Sequence, residues 1–487
     1  MINKVAVSEG YQGLLIKNLN YEKKIIGLVC SLMVLLCVFG TINYKIYFGF
    51  IMGVLGIFII VNDKLYKALL FLMIFLYIIL NYGVTNVGVN VGGILIPIAE
   101  VVLLIGLIRL LKQIVKGFKP QKNYKFVVLP IVLIFMGFLF KIPADFHKYG
   151  QIAFRDATSH IEILYFIVVI NEMYGLNKEK VDKYLLKFLL ITLNILFFYS
   201  FFYLKKDLLL NISPVYEGFQ KTIYLLGNFN STHFWLLFLI IVNITIISNK
   251  NSKGNNAIVL ILHFQNILSS ALIFITTSRI TILTYLFFIL LFLLINKKKY
   301  AFYLINYLII LLISLYVLLL LKVKIESRRG IIDFNFLSHM FLSMFGGGDI
   351  QSMSSGVDQR KTWYKSVLDN SFNIRSFFLG RGFGIPLIEF YDPQGFLVRE
   401  PHNSMLSIYA RMGIFGLMTW LTLILCIIKV GLSKIKNNNY GLLLLALVIM
   451  GFFNSLVEPY FELPYNEVPF FCLLAILYKG TIETAKE

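Results

Sequence analysis

The stretch that decides the fold is REPHNSMLSIYARMGIFGLMTWL, residues 399–421. A polar segment with Pro401 and His402 passes directly into an apolar run that has helical periodicity. Asn403 and Ser404 are natural N-cap residues for a helix that begins at this point. The stretch therefore predicts a membrane helix with a histidine at its polar mouth.

Composition indicates a polytopic membrane protein. The chain has 487 residues, of which 58% are hydrophobic and only 14% are charged. Long apolar runs alternate with short basic loops, as in proteins that cross a membrane many times. The formal net charge of +20 does not indicate nucleic acid binding, because Lys and Arg mark the ends of apolar runs instead of gathering on one soluble domain.

We predict an all-α polytopic integral membrane protein with about 14 (12–14) transmembrane helices and one long extracytoplasmic loop containing short helices. The predicted parts are a cytoplasmic N-terminal tail at 1–24, a transmembrane bundle of about eleven helices at 25–321, the loop at 322–403 and C-terminal transmembrane helices at 404–479. Alternate loops are rich in Lys, so the positive-inside rule places both termini in the cytoplasm and the loop outside.

Several local patterns give further expectations. The first two spans are predicted at 25–40 and 46–61, and another at 157–174. Within the loop, residues 346–356 are rich in Gly and Ser and predict a linker, whereas 359–370 predicts a short helix with Trp363 near the same face as Val367. The loop carries ten basic residues, which suit either an anionic substrate or lipid headgroups.

Polar side chains near the predicted outer face are the candidates for chemistry. An Arg between two apolar spans, as at Arg279, costs free energy unless it is paired, lines a wet cavity or reaches the interface. Each of the other candidates also has a purely structural interpretation, as a surface arginine or as a helix cap. The candidate residues are Ser278 with Arg279, Arg360 with Trp363, Arg381 in a glycine-rich turn, His402 with Asn403, Arg411 within the following helix, and Asn230 in the turn 227–233.

The motifs that are present and absent limit the reaction classes that these groups could support. The sequence has no Asp-x-Asp pair, no phosphate loop ending in Gly-Lys-Ser/Thr and no His-Glu-x-x-His, so we predict no metal and no cofactor. Arginine forks bind diphosphate without a metal, and a neutral histidine accepts a proton from an attacking hydroxyl. Together these groups favour transfer from a diphosphate leaving group to an alcohol.

The order of these motifs resembles the O-antigen polymerase and O-antigen ligase superfamily of bacterial envelope enzymes. The resemblance covers about 276–421, and the turn 227–233 matches less well because it lacks a proline. The matching motifs are Ser278-Arg279, Arg360-x-x-Trp363, the glycine-rich turn 379–384, His402-Asn-x-x-Leu406 and Gly413-x-x-Gly416, whose glycines would let a neighbouring segment approach closely.

The resemblance implies a substrate and roles. The donor and the acceptor would be glycans on undecaprenyl diphosphate, used at the outer face of a bacterial cytoplasmic (inner) membrane by a metal-independent glycosyltransferase. Arg279 and Arg360 would bind the diphosphate, and His402 would be the general base. Supporting roles fall to Ser278, Asn403, Arg411, Trp363, Arg381 and Asn230. A chain-length regulator and a flippase are further candidate partners, beside the lipid bilayer itself.

Three alternatives remain open. We favour a polymerase that makes capsule, exopolysaccharide or O-antigen, on the general ground that polymerases are the more diverse group; the motifs do not separate it from a ligase. A transporter or flippase of lipid-linked glycans would be expected to carry a charged central cavity and internal repeats. A non-enzymatic envelope scaffold would have no use for Arg279 between two spans.

Overall fold

The computed structural model describes residues 62–483, with gaps at 86, 92–93, 116–123, 174–186, 218–221, 250–255, 277, 322–324, 328–329, 334, 337, 340–341, 343–350, 392–396 and 436–437. The predicted tail at 1–24 and the predicted spans at 25–40 and 46–61 lie outside the described residues.

Helices make up most of the described chain. In order they are α1 Asp63–Leu80, α2 Ile98–Val115, α3 Lys125–Tyr149, α4 Gln151–Asp156, α5 Thr158–Glu162, α6 Tyr165–Glu172, α7 Lys187–Ser200, α8 Lys206–Ile212, α9 Thr232–Asn249, α10 Asn256–Ile275, α11 Arg279–Leu294, α12 Lys298–Leu320, α13 Gln351–Asn370, α14 Ile374–Leu379, α15 Ser404–Lys434, α16 Asn439–Ser455 and α17 Pro464–Glu483.

Short antiparallel hairpins connect some of these helices. In the described residues they pair β1 Gly88–Val91 with β2 Ile94–Pro97, β3 Val215–Glu217 with β4 Thr222–Tyr224, β5 Ile325–Ser327 with β6 Gly330–Ile332, and β7 Phe390–Tyr391 with β8 Leu397–Val398. The last two hairpins fall within the predicted loop 322–403, which also contains α13 and α14.

The helical segments are those of a membrane protein. Among the described residues, six are long and apolar enough to cross a membrane: Lys64–Val84, Lys125–Tyr149, Lys187–Ile212, Asn256–Ile275, Lys298–Leu320 and Ser404–Lys434. Shorter apolar helices lie at Thr232–Ser248, Arg279–Leu294 and Asn439–Ser455. The prediction of an all-α membrane protein is thus confirmed, and the figure of about 14 crossings stays a prediction.

Helix α17 forms the centre of the bundle. It packs against α1, α6, α15 and α16, and residues 465–480 are buried. A helix that is apolar all round must be enclosed by other helices, which agrees with this position. The short segment 456–463 joins α16 to α17 and brings Glu458 to the end of the bundle where α15 begins. We call this the His402 end.

Two predicted elements differ from the structure. The predicted span at 157–174 consists of the short helices α5 and α6 joined by a turn, and neither is long enough to cross a membrane alone. His160 and Glu162 interrupt its apolar run and are buried within the protein. The predicted linker at 346–356 is helical from Gln351 onward, because α13 continues through it despite the low helix propensity of Gly and Ser.

A kink in α15 positions the glycine-rich turn that follows α14. Gly413 has φ 70° and ψ −170°, which interrupts the helix and leaves the carbonyls of the preceding turn without helical partners. The N–H of Arg381 donates to the oxygen of Ala410 at 2.7 Å, and the N–H of Gly382 donates to the oxygen of Arg411 at 3.1 Å. The close approach predicted at Gly413 is confirmed, since a Cβ atom there would lie 2.2 Å from the Phe378 oxygen.

We predict that Gly413→Ala strongly lowers thermal stability, whereas Gly150→Ala lowers it modestly. Both glycines have positive φ, at 70° and 63°, so both alanines introduce backbone strain of about 1–3 kcal/mol. Only Gly413 adds a clash, because a Cβ at Gly150 meets nothing within 4 Å. The measurement is thermal unfolding of the purified variants in detergent. Equal shifts in the two variants would contradict the packing of α14 against the kink.

Candidate active site

His402 lies immediately before α15 in an unusual backbone conformation. Its φ is 54°, a left-handed value that few non-glycine residues adopt and that often marks a functional position. Asn403 is the N-cap of the helix, and its side-chain oxygen accepts a hydrogen bond from the Leu406 N–H at 2.9 Å. The predicted helix start is therefore confirmed, and the imidazole of His402 remains outside the cap with 34% of its side chain exposed.

Helix α13 packs on this helix start through its predicted face. The Trp363 ring stacks on the His402 ring, with centroids 5.5 Å apart and planes 22° apart. The Tyr364 hydroxyl donates to the His402 carbonyl oxygen at 3.5 Å, and Val367 is fully buried. These contacts fix one face of the imidazole against the loop helix.

Glu458 lies beside His402 and was not among the predicted site residues. Its Oε2 is 3.5 Å from His402 Nδ1, and its Oε1 is 3.2 Å from Arg360 Nη2. Its backbone oxygen accepts a hydrogen bond from the Ser404 hydroxyl at 3.3 Å. One carboxylate thus connects the predicted base with a predicted diphosphate-binding arginine. A carboxylate next to Nδ1 favours the tautomer that leaves Nε2 free to accept a proton.

The electrostatics of Glu458 favour its ionised form. Partial burial alone would raise the pKa of Glu458, but the hydrogen bond with His402 and the charge of Arg360 outweigh it. His233, at the start of α9, acts in the same direction. The pKa of Glu458 consequently lies below its usual value of 4.5, and the carboxylate is charged at neutral pH.

We predict that acid loosens the contact between α13 and the His402 end. Because the folded-state pKa of Glu458 is depressed, its pairing with Arg360 is complete at neutral pH and is lost as the pH falls through a value below 4.5. Trp363 fluorescence reports this change, since Trp235 and Trp420 are buried. Glu458→Gln should lack the acid transition, and an identical transition in that variant would contradict the assignment.

The polar turn before α9 adjoins the same end of the bundle. The Ser231 hydroxyl contacts the Asn466 side chain, and the exposed Asn230 hydrogen-bonds the Tyr465 hydroxyl at the start of α17. The turn therefore borders the segment that carries Glu458. The structure brings Asn230 to the neighbourhood of His402, though in contact with α17 instead of the imidazole.

Arg279 begins α11, with Ser278 as the residue before it. Phe287, two turns later, packs on Phe453 of α16 with ring centroids 4.7 Å apart. Phe453 precedes Glu458 by five residues, and Arg279 precedes Phe287 by eight, a helix rise of about 12 Å. We infer from this contact that α11 and α16 run antiparallel, which would put Arg279 at the His402 end.

Arg411 lies in a buried ion cluster and not at the His402 ring. Its guanidinium is 3.0 Å from Asp156 and also contacts Glu400, with 2% of the side chain exposed. Arg399 pairs with the same Asp156 at 2.9 Å and donates to the Gly384 oxygen at 2.7 Å. These contacts fasten the glycine-rich turn to α15 and to the end of α4.

Arg381 belongs to the glycine-rich turn itself. Burial and the nearby charge of Arg411 lower its pKa, and its Nη1 is buried with no hydrogen-bond partner among the described residues. The predicted site residues thus divide into two places: Arg360, Trp363, His402 and Asn403 together at the His402 end, and Arg381 and Arg411 around the glycine-rich turn. Within the described part of the chain, no group of His, Cys, Asp or Glu is arranged to hold a metal ion.

The fold is that of a helical membrane protein with a histidine–carboxylate–arginine site at one end of its bundle. Residues 265–421 match the family model described as O-Antigen ligase. This match confirms, over that segment, the resemblance to the O-antigen ligase and polymerase superfamily. A search of curated proteins gives no match to the chain.

Proposed function

We propose that this protein is a membrane glycosyltransferase that polymerises undecaprenyl-diphosphate-linked oligosaccharide units into capsule, exopolysaccharide or O-antigen. The observation that carries the proposal is the position of His402, stacked on Trp363 and adjoining the carboxylate that also binds Arg360. The superfamily match supports the reaction class, and the polar end of a membrane bundle suits a substrate whose carrier is a lipid.

The reaction follows from these groups. His402 Nε2 accepts the proton of an acceptor sugar hydroxyl, and the hydroxyl oxygen attacks the anomeric carbon of the donor. The bond between that carbon and the diphosphate oxygen breaks, and the electron pair leaves with the diphosphate. Glu458 stabilises the imidazolium that forms, so it acts as a positioning residue through His402. Direct displacement inverts the anomeric configuration.

The arginines would stabilise the charge of the departing diphosphate. A guanidinium has five N–H donors, so Arg360 can keep Nη2 on Glu458 while other N–H groups bind phosphate oxygens. The contact of Phe287 in α11 with Phe453 in α16 supports a position for Arg279 at the same end of the bundle. On this proposal the active site faces outward, and both termini are cytoplasmic.

The test is to replace Arg279 and Arg360 separately with Lys. Lys keeps the charge but cannot form a two-pronged contact with phosphate, so we expect glycan ladders on gels to fall by about tenfold or more. Lys361→Ala, on the exposed side of α13, is the matched control and should leave the ladder unchanged.

Full ladders in both Arg→Lys variants, at normal protein level, would overturn the arginine roles. Long lipid-linked chains that accumulate without reaching a final acceptor in an inactive variant would indicate a ligase instead of a polymerase.

A further inference from the structure

A cavity of about 980 Å³ is lined in part by the glycine-rich turn. It is bounded by the second half of α3, by α14 and the turn after it, and by α15 around its kink. Among the described residues, none of those at the His402 site lines this cavity. Its α3 wall also lies outside the segment 265–421 that matches the superfamily.

One end of this cavity is basic. Lys141, Lys148, Arg375 and Arg381 line it, against Asp145 as the acidic side chain of the same wall. The buried Nη1 of Arg381 has no hydrogen-bond partner in the described chain, so a donor is left available at this end. A buried cationic donor without a partner is costly, and an anionic ligand would satisfy it.

The other end is apolar and open to the side. Leu133, Phe140 and Phe415 belong to α3 and α15, and 52%, 80% and 61% of their surfaces are exposed. On helices that cross a membrane, such surface faces lipid chains. Thr419 and Trp420 form the deeper part of the same wall. The cavity therefore suits an amphiphilic ligand. Its anionic head would bind the basic residues, and its hydrocarbon chain would lie against the apolar ones.

We propose that this cavity binds the diphosphate head and first isoprenoid units of the acceptor lipid, as a second lipid site beside the His402 site. This inference rests on the proposed polymerase function, in which donor and acceptor both carry a lipid diphosphate. The donor diphosphate is the leaving group, so it must lie at His402. The acceptor reacts through a sugar remote from its own diphosphate, so its head must lie some distance away.

The position of the cavity meets that requirement. Arg381 is hydrogen-bonded through its backbone to Ala410, which lies six residues after the start of α15 at Ser404, a helix rise of about 9 Å. The glycine-rich turn lines the cavity, and the buried cluster of Arg399, Arg411 and Asp156 holds this turn in position. An acceptor head in the cavity would leave its glycan free to extend over the turn towards His402.

The experiment counts bound lipid by native mass spectrometry, with the full chain in phosphatidylcholine nanodiscs and undecaprenyl diphosphate as the probe. Wild type should bind two molecules. The double variant Arg375→Gln/Lys148→Gln should bind one, and so should Arg360→Gln. Both cavity residues are exposed, so their replacement should preserve the fold. Arg155→Gln, exposed and outside the cavity, is the control and should bind two.

The outcomes separate this inference from the proposed function. One lipid in wild type, lost in Arg360→Gln and kept in the cavity variant, would overturn the second site and leave the proposed function intact. No binding at all would count against both. Displacement of the cavity lipid by equimolar phosphatidylglycerol would show a general anionic-lipid site and overturn the acceptor assignment.

A further variant distinguishes binding of the whole lipid from binding of its diphosphate head alone. Thr419→Trp fills the apolar end, so it should lose the cavity lipid while inorganic diphosphate still binds at the basic end. Equal loss of the two probes would overturn the amphiphile interpretation.

Discussion

Replacing His402 with alanine is expected to abolish the glycan ladder, with a fall in transfer rate of about 100-fold to 10,000-fold. The ring is 34% exposed and the helix cap belongs to Asn403, so the variant should still fold and reach the membrane. The loss would follow from the missing proton acceptor. The measurement is a gel of lipid-linked and surface glycans, with the protein level checked in the membrane fraction.

A second variant separates chemistry from backbone strain at His402. The positive φ of 54° is tolerated by Asn, so His402→Asn keeps the backbone conformation and removes the general base. Loss of the ladder in both variants supports the base. An intact ladder in His402→Asn would show that only backbone shape matters there. If single units are still exported and capped while longer ones vanish, the enzyme is a polymerase.

Replacing Arg411 with methionine is expected to have the largest effect on stability, about 3–5 kcal/mol. The guanidinium is 2% exposed and bridges Asp156 and Glu400, while Arg399 offers Asp156 a second partner. Methionine fills similar space but leaves the partly buried Glu400 carboxylate without its cationic partner. The measurement is thermal unfolding in detergent, together with the yield of monodisperse protein.

A second substitution should partly rescue Arg411→Met, and an exposed arginine provides the control. Adding Glu400→Gln to Arg411→Met removes the stranded charge, so the double variant should recover part of the lost stability. Arg375→Gln removes an exposed arginine and should leave the unfolding temperature nearly unchanged. An Arg411→Met variant as stable as wild type would show that the ion cluster does not hold the glycine-rich turn in place.

Local signals in the sequence predict the local parts of this structure well. The cap at Asn403, the face of α13 that carries Trp363, and the close approach at Gly413 each depend on residues a few positions apart. Periodicity, capping chemistry and the absence of a side chain act at that range. The linker before Gln359 is wrong in its second half because helix propagation overrides composition from Gln351 onward.

Long-range pairings were beyond such signals. Glu458 meets Arg360 across 98 residues, and Asp156 meets Arg399 across 243. Neither pair can be predicted from the residues near it in a single sequence. The clue that existed was weak: 458–462 is a short loop with acidic residues and no basic ones. Arg411 is a candidate site residue in the sequence, and in the structure it pairs with two carboxylates that come from outside its own helix.

The position of Asp156 and Glu458 also bears on attempts to exchange parts between relatives. Residues 265–421 carry the superfamily match, but Glu458 beside His402 lies after that segment, and Asp156, one of the two carboxylates that pair with Arg411, lies before it. The matched segment is thus not a transplantable module. A chimera that imports it from a relative must import compatible acids on both flanks, because the donor's histidine and arginines would otherwise meet foreign partners. Two relatives with similar central segments but different flanking sequences are therefore expected not to exchange those segments with retention of function.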